Sequence, residues 1–192
     1  MSLLTAASAG SKQAPSPVEV FLGAHPAALA FVQTPKPTPS SFAKEVYFGV
    51  TAFRFTNGDG LSRYGRYRII PEAGVDHLDG AATNGRNPNF LFDELAKRIT
   101  AGPVRFEIQV QVAYESDVVD DATIHWPADR PLIQLGSLVL NEVAPDNQDG
   151  QKRIIFDPIP RVDGIEPSDD PLLELRAAIY LLSGRRRRQA PN

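Results

Sequence analysis

The chain's 192 residues suit one domain with a real core, and 42% hydrophobic with 22% charged residues is ordinary for a soluble globular protein. A net charge of -3 argues against a general nucleic-acid binder, and the absence of cysteine excludes disulfides, thiolate metal sites and cysteine nucleophiles. No apolar run is long enough to span a membrane, and the opening MSLLTAASAGSKQ lacks the basic start of a secretory leader, so a cytoplasmic location is expected.

Residues 1–17 are small, polar and proline-containing, and read as a tail that is disordered or foreign to the fold, ahead of one domain over residues 18–192. Phe21, Leu22, His25, Leu29 and Val32 then recur three and four apart, which predicts a helix broken at Pro26. His25 falls at that junction and is read as structural. TPKPTPSS, residues 34–41, forces an extended connection, with Phe42 as its anchor.

Residues 46–56 and 64–70 predict two strands of a hairpin around Asn57-Gly58-Asp59-Gly60. Phe48, Val50 and Ala52 fall on one face, and Tyr47, Thr51 and Phe53 on the other. Arg54, Arg63, Arg66 and Arg68 read as its polar outer face. Residues 71–89 read as a loop, in which Asp76, His77 and Asp79 form a loose triad better explained as solvated side chains than as a metal site. Leu91, Leu95 and Ile99 mark an amphipathic helix over residues 90–99 that Gly102 ends. A third strand, 104–114, alternates Val104, Phe106, Ile108, Val110 and Val112 with Arg105, Glu107, Gln109 and Gln111. The glutamines line a polar cavity or face water. Asp117, Asp120 and Asp121 read as a solvated acidic loop, since their spacing does not match a calcium loop. The fourth strand is residues 132–143, where Gly136 marks a bulge or a close approach. Residues 144–150 read as a turn and 156–164 as an extended arm. Short connections suit an antiparallel sheet covered by helices, an α+β arrangement.

The closing stretch reads DGIEPSDDPLLELRAAIYLLSGRRRR. Ser168 is the expected N-cap, with Pro171 early in the helix and Asp169, Asp170 and Glu174 near its positive end. Leu172, Leu175, Ala178, Ile179 and Leu182 form an apolar stripe, and Gly184 is the expected stop before a cationic tail. Arg176 and Tyr180 are four apart and share a face. A cation beside a phenol favours the phenolate, which can hold haem iron. By spacing alone, the same pair reads first as a surface contact on a packed helix.

Taken in order, SFAKEVYFGVTAFRFTNGDG, RYRIIPEAG, LIQLGSLVLNEVAPDN and FDPIPRVDGIEPSDDPLLELRAAIY resemble the haem catalases, and most of all the small catalase-related peroxidases. The resemblance runs from about Val18 to the end. It implies the second half, about four strands, of a catalase-type antiparallel β-barrel, with flanking helices and a C-terminal haem-ligand helix. It implies haem b, with Tyr180 as axial iron ligand, Arg176 as its charge partner, Arg187 at a propionate, and Phe156 and Pro158 lining the proximal face. Leu181, Leu182, Ser183 and Gly184 replace the family's usual Asp-Thr-His stretch. The distal His and Asn that work on peroxide have no counterpart, and His25, His77 and His125 fall outside that motif, so no catalytic residue is assigned. The implied activity is decomposition or reduction of hydrogen peroxide with a small reductant; the alternative is a non-enzymatic haem-binding or structural remnant. No nucleic acid or membrane partner is implied, and a homo-oligomer through open strand edges is the expected assembly.

Overall fold

The structure, a computed structural model, describes residues 15–190. The expected tail therefore lies outside the described residues except for its last positions. The chain divides into two compact units, residues 1–38 and 39–192.

Within the first unit, α1 (Pro17–Ala24) starts at a capping box: Ser16 Oγ accepts from the Glu19 N–H, and the Glu19 carboxylate accepts from the Ser16 N–H. Pro26 opens α2 (Pro26–Gln33), so His25 sits at the junction as expected, its Nδ1 on the Phe21 carbonyl at 2.7 Å.

The second unit is built on an antiparallel sheet. Its strands are β1 (Tyr47–Phe48), β2 (Phe53–Thr56), β3 (Ser62–Pro71), β4 (Val104–Val112), β5 (Leu132–Leu140) and β6 (Ile165–Pro167). The order across the sheet is β5-β4-β3-β2-β6, and β1 pairs with the far end of β3. The single strand expected over residues 46–56 is thus two. Phe48 opposes Arg68 and Phe53 opposes Gly65, so residues 49–52 face only 66 and 67. The surplus buckles out of the ladder, and the Gly49 N–H keeps a bond to the Tyr67 carbonyl at 2.8 Å. The Ala52 carbonyl accepts from Ser168 instead, which ties the buckle to the start of the closing helix. The turn forms as its sequence demands: Asn57 Oδ1 accepts from the Asp59 and Leu61 N–H groups, and Gly60 takes φ 79°. The strand β6, just after the arm expected over residues 156–164, pairs with β2.

Two segments read as loop or turn contain helix, α3 (Gly80–Thr83) and α5 (Asn147–Arg153). Asp79 starts α3 by accepting from the Ala82 N–H, so it caps a helix. Asp76 pairs with Lys44, and His77 Nε2 lies 3.0 Å from Glu45 Oε2. The helix α4 (Phe90–Ala101) ends at Gly102 as expected, whose N–H reaches the Arg98 and Ile99 carbonyls.

The apolar face of β4 packs beneath α4: Val104 and Phe106 are buried with Ala43, against Ile69, Leu95, Ile99 and Leu140. Of the four arginines expected on the hairpin's polar outer face, Arg54 and Arg63 are exposed and Arg68 half-buried, but Arg66 is covered. Arg66 is only 6% exposed; its guanidinium donates to the Ile124 and Asp121 carbonyls and lies 4.2 Å from the Trp126 ring. Burial holds Arg66 below its ordinary pKa, against the opposing pull of Asp170, Asp117 and Asp121. Gln111, also buried, donates to the Pro127 carbonyl, so it anchors a loop. That loop is stapled by Asp117, which accepts a bidentate pair from Arg130 at 2.7 and 2.9 Å. The acidic cluster is therefore only partly solvated. No described helix is long and apolar enough to cross a membrane.

Candidate functional site

The site helix is α6 (Pro171–Gln189). Its N-cap is Asp170, two residues after the expected Ser168, and Asp170 Oδ1 accepts from the Leu172 N–H at 2.9 Å. Ser168 supports the cap from behind, accepting from the Asp170 N–H. The helix does not stop at Gly184 but continues to Gln189. Gly184 is buried there, and a Cβ on it would meet the Ile155 side chain at 3.3 Å. Its role is a close approach by residue 155, not termination.

Leu173, Arg176, Ala177, Tyr180, Ser183, Gly184 and Arg187 recur three and four apart and form the covered side of α6. The apolar stripe Leu172, Leu175, Ile179 and Leu182 is exposed. The helix thus turns its polar, chemistry-bearing side inward.

On that side Arg176 Nη2 donates to the Tyr180 hydroxyl at 3.4 Å, and its guanidinium lies 5.5 Å from the Tyr180 ring. Both residues are half-buried. Two turns on, Arg187 donates to Ser183 Oγ at 2.8 Å, to the Ile154 carbonyl at 2.5 Å and to the Gln151 carbonyl at 3.3 Å. The same guanidinium lies 5.1 Å from the Phe156 ring. It clamps α6 to the segment after α5. Pro158 is half-buried on that segment, while Phe156 is largely exposed.

The structure therefore joins Arg176 to Tyr180 and Arg187 to Phe156, as two clusters on one helix face. Ser183 and Gly184 belong to this face and were not singled out for it by sequence reasoning. The signal was present, since Ser183 stands three after Tyr180 and four before Arg187. Gln151 and Ile154 contribute backbone carbonyls, for which side-chain patterns carry no signal. A surface concavity of roughly 890 Å³ lies elsewhere, between the hairpin turn and residues 160–167. Among the described residues no group of three or more metal-ligating side chains occurs.

A phenol whose hydrogen-bond partner is a cationic donor has the chemistry of an anionic oxygen ligand, because the donor stabilises negative charge on that oxygen. The Tyr180–Arg176 pair fits haem ligation in that sense.

The family model described as Catalase matches residues 23–192. The chain is 36% identical over 156 residues to a catalase-related peroxidase of Mycolicibacterium paratuberculosis, covering 81% of this chain and 50% of that protein. It is 34% identical over 175 residues to a catalase-related peroxidase of Synechococcus elongatus, covering 90% and 51%. Among solved structures, a fungal catalase superposes with a TM-score of 0.68 at 28% identity, over 78% of this chain and 32% of that one. A bacterial catalase has the same fold, with a TM-score of 0.75 at 24% identity over 94% and 38%. The chain spans about half the length of the two catalase-related peroxidases it matches. On the family match over residues 23–192, this chain belongs to the catalase family.

Proposed function

We propose that this chain carries the proximal side of a haem b site that serves decomposition or reduction of hydrogen peroxide with a small reductant. The observation that carries the reading is the half-buried Tyr180 hydroxyl taking a hydrogen bond from Arg176 on a helix face. When bound, haem supplies the redox chemistry on peroxide. Tyr180 would hold the iron through its phenol oxygen, and Arg176 would orient that oxygen through its hydrogen bond. Arg187 offers its guanidinium to a propionate, and Ser183 with the 151–154 carbonyls fixes its position. Phe156 and Pro158 supply apolar cover next to it. Proton transfer between peroxide oxygens needs a positioned acid–base group on the opposite side, worth about 10²–10⁴-fold. His77 is engaged with Glu45 and His125 is exposed in the 115–131 loop, so neither is given that role.

Haemin titration of the purified chain tests the reading. The wild type is expected to give a high-spin spectrum of tyrosine-ligated iron, which Tyr180→Phe abolishes and Arg176→Ala weakens. A wild-type spectrum unchanged by Tyr180→Phe would sink the assignment. Haem binding without any peroxide chemistry would favour the second reading, a non-enzymatic haem-binding chain, which the unassigned acid–base group supports.

A further inference from the structure

The chain holds two Asn-Gly steps, Asn57-Gly58 and Asn84-Gly85, and the fold treats them differently. An asparagine before glycine is chemically labile, because a glycine without Cβ lets its main-chain nitrogen reach the asparagine side-chain carbonyl carbon. In the hairpin turn Asn57 is held by main chain and side chain alike. Its N–H donates to the Leu61 carbonyl and its carbonyl accepts from the Gly60 N–H, both at 3.0 Å. Its Oδ1 accepts from the Asp59 and Leu61 N–H groups at 3.0 and 2.9 Å. Asn84 follows α3, a helix of 4 residues. Its single hydrogen bond among the described residues is a long one, from its N–H to the Ala81 carbonyl at 3.3 Å. The residue is exposed and its side chain makes no bond, and the Gly85 N–H beside it donates to nothing among the described residues. Gly85 has φ 75° and no atom within 4 Å of where a Cβ would stand, so nothing packs against the turn there.

We propose that Asn84 is a spontaneous modification site of the folded chain, which loses its side-chain amide to the Gly85 nitrogen, while Asn57 is protected by its turn. The Gly85 nitrogen gives up its proton and bonds to Asn84 Cγ. The Cγ–Nδ2 bond breaks, and ammonia leaves with a proton from solvent. The cyclic imide that results takes up one water. Opening at the Cγ carbonyl gives aspartate at position 84; opening at the main-chain carbonyl gives isoaspartate, in which the main chain runs through Cβ and Cγ. Nothing is oxidised or reduced. Ring closure turns ψ and χ1 of the asparagine, so at Asn57 it must break a geometry that four hydrogen bonds hold, and at Asn84 one. The product bears on its surroundings. Arg86 Nε donates to the Ala82 carbonyl at 2.7 Å across the modified residue, and its guanidinium lies 5.0 Å from the Phe90 ring at the start of α4. Isoaspartate lengthens the main chain inside the loop that this hydrogen bond closes, and either product adds a negative charge there. The inference is independent of the haem reading.

Trypsin places the two steps in separate peptides, residues 55–63 and 69–86, each with one asparagine and no glutamine, so mass spectrometry follows both in one sample. The purified chain is aged at mildly alkaline pH, folded in buffer and unfolded in guanidinium chloride, and the amide-to-acid mass gain of each peptide is timed. Isomerisation at Asp59-Gly60 or Asp79-Gly80 leaves the mass unchanged and does not interfere. The folded-to-unfolded rate ratio is expected close to unity for residues 69–86. For residues 55–63 it is expected to be roughly tenfold lower or more, since several hydrogen bonds must break first. Asn84→Gln is expected to leave residues 69–86 unmodified, because glutamine must close a larger ring, and to leave the circular dichroism spectrum as it was. Equal ratios for the two peptides, a lower ratio for residues 69–86, or a mass gain there that survives Asn84→Gln overturns the proposal.

Discussion

Gly164 precedes β6 with φ 81°, and a Cβ on it would sit 2.8 Å from the Thr56 carbonyl oxygen. Its own carbonyl accepts from the Thr56 N–H, so the close approach is what seats β6 against β2. Gly164→Ala is expected to cost about 1–2 kcal/mol from the left-handed backbone alone, with the contact adding to it. Gly65 is different: in β3 its missing side chain leaves room for Val110, whose Cγ1 would be 2.2 Å from a Cβ. Gly65→Ala overpacks that spot, at about 1–3 kcal/mol. Gly58, with nothing within 4 Å, is the control, and Gly58→Ala should stay within about 0.5 kcal/mol. Urea midpoints of the three variants check the ranking, and equal midpoints would refute it. Sequence shows that all three are glycines. Which one is crowded depends on residues such as Val110 and Thr56, far away in the chain.

At the level of elements, the loop between β4 and β5 is held by Asp117 and Arg130 and lies over Arg66 and Gln111. The two hydrogen bonds from Arg130, with one from the Tyr114 N–H, hold the Asp117 carboxyl below its ordinary pKa. A carboxyl depressed on folding stabilises the fold fully above its unfolded pKa, about 3.9. That contribution is lost as pH falls through the lower folded value. Asp76, Asp121 and Asp157 are depressed too and act with the same sign. Asp117→Asn is therefore expected to lower Tm by several degrees at neutral pH and much less in strong acid. Thermal melts across the acid range decide this, and a penalty independent of pH would refute it. The helix α6 shows the limit of pattern reading. Its 3.6-residue period correctly predicts a helix, but its apolar stripe is the exposed side. Arg176, Tyr180 and Arg187 are turned inward because Ser168 and Asp170 fix the helix start and Gly184 admits Ile155.

For the whole molecule, the chain spans about half the length of the two catalase-related peroxidases it matches, and the haem site proposed for it rests on α6. Loaded with haem, it is expected to show Tyr180-dependent binding but no rapid oxygen evolution from peroxide. An oxygen electrode measures this, and brisk turnover abolished by Tyr180→Phe would show that the chain supplies its own acid–base group. The pairing of Arg176 with Tyr180 was legible, because four residues on a helix make neighbours wherever the helix sits. The Arg187 clamp was only half legible: its distance from Tyr180 was, but its carbonyl partners on residues 151 and 154 were not.

Local chemistry, readable without coordinates, determined the helices at Pro17, Pro26 and Phe90, the Asn57 turn, the alternation of β4 and the family pattern around Tyr180. These depend on neighbours within a few residues, where propensity and periodicity act. Tertiary structure decided the burial of Arg66 and Gln111, the split of β1 from β2, and the run of α6 through Gly184. Each of these turns on a contact between distant segments, and its free energy is not encoded in either segment alone.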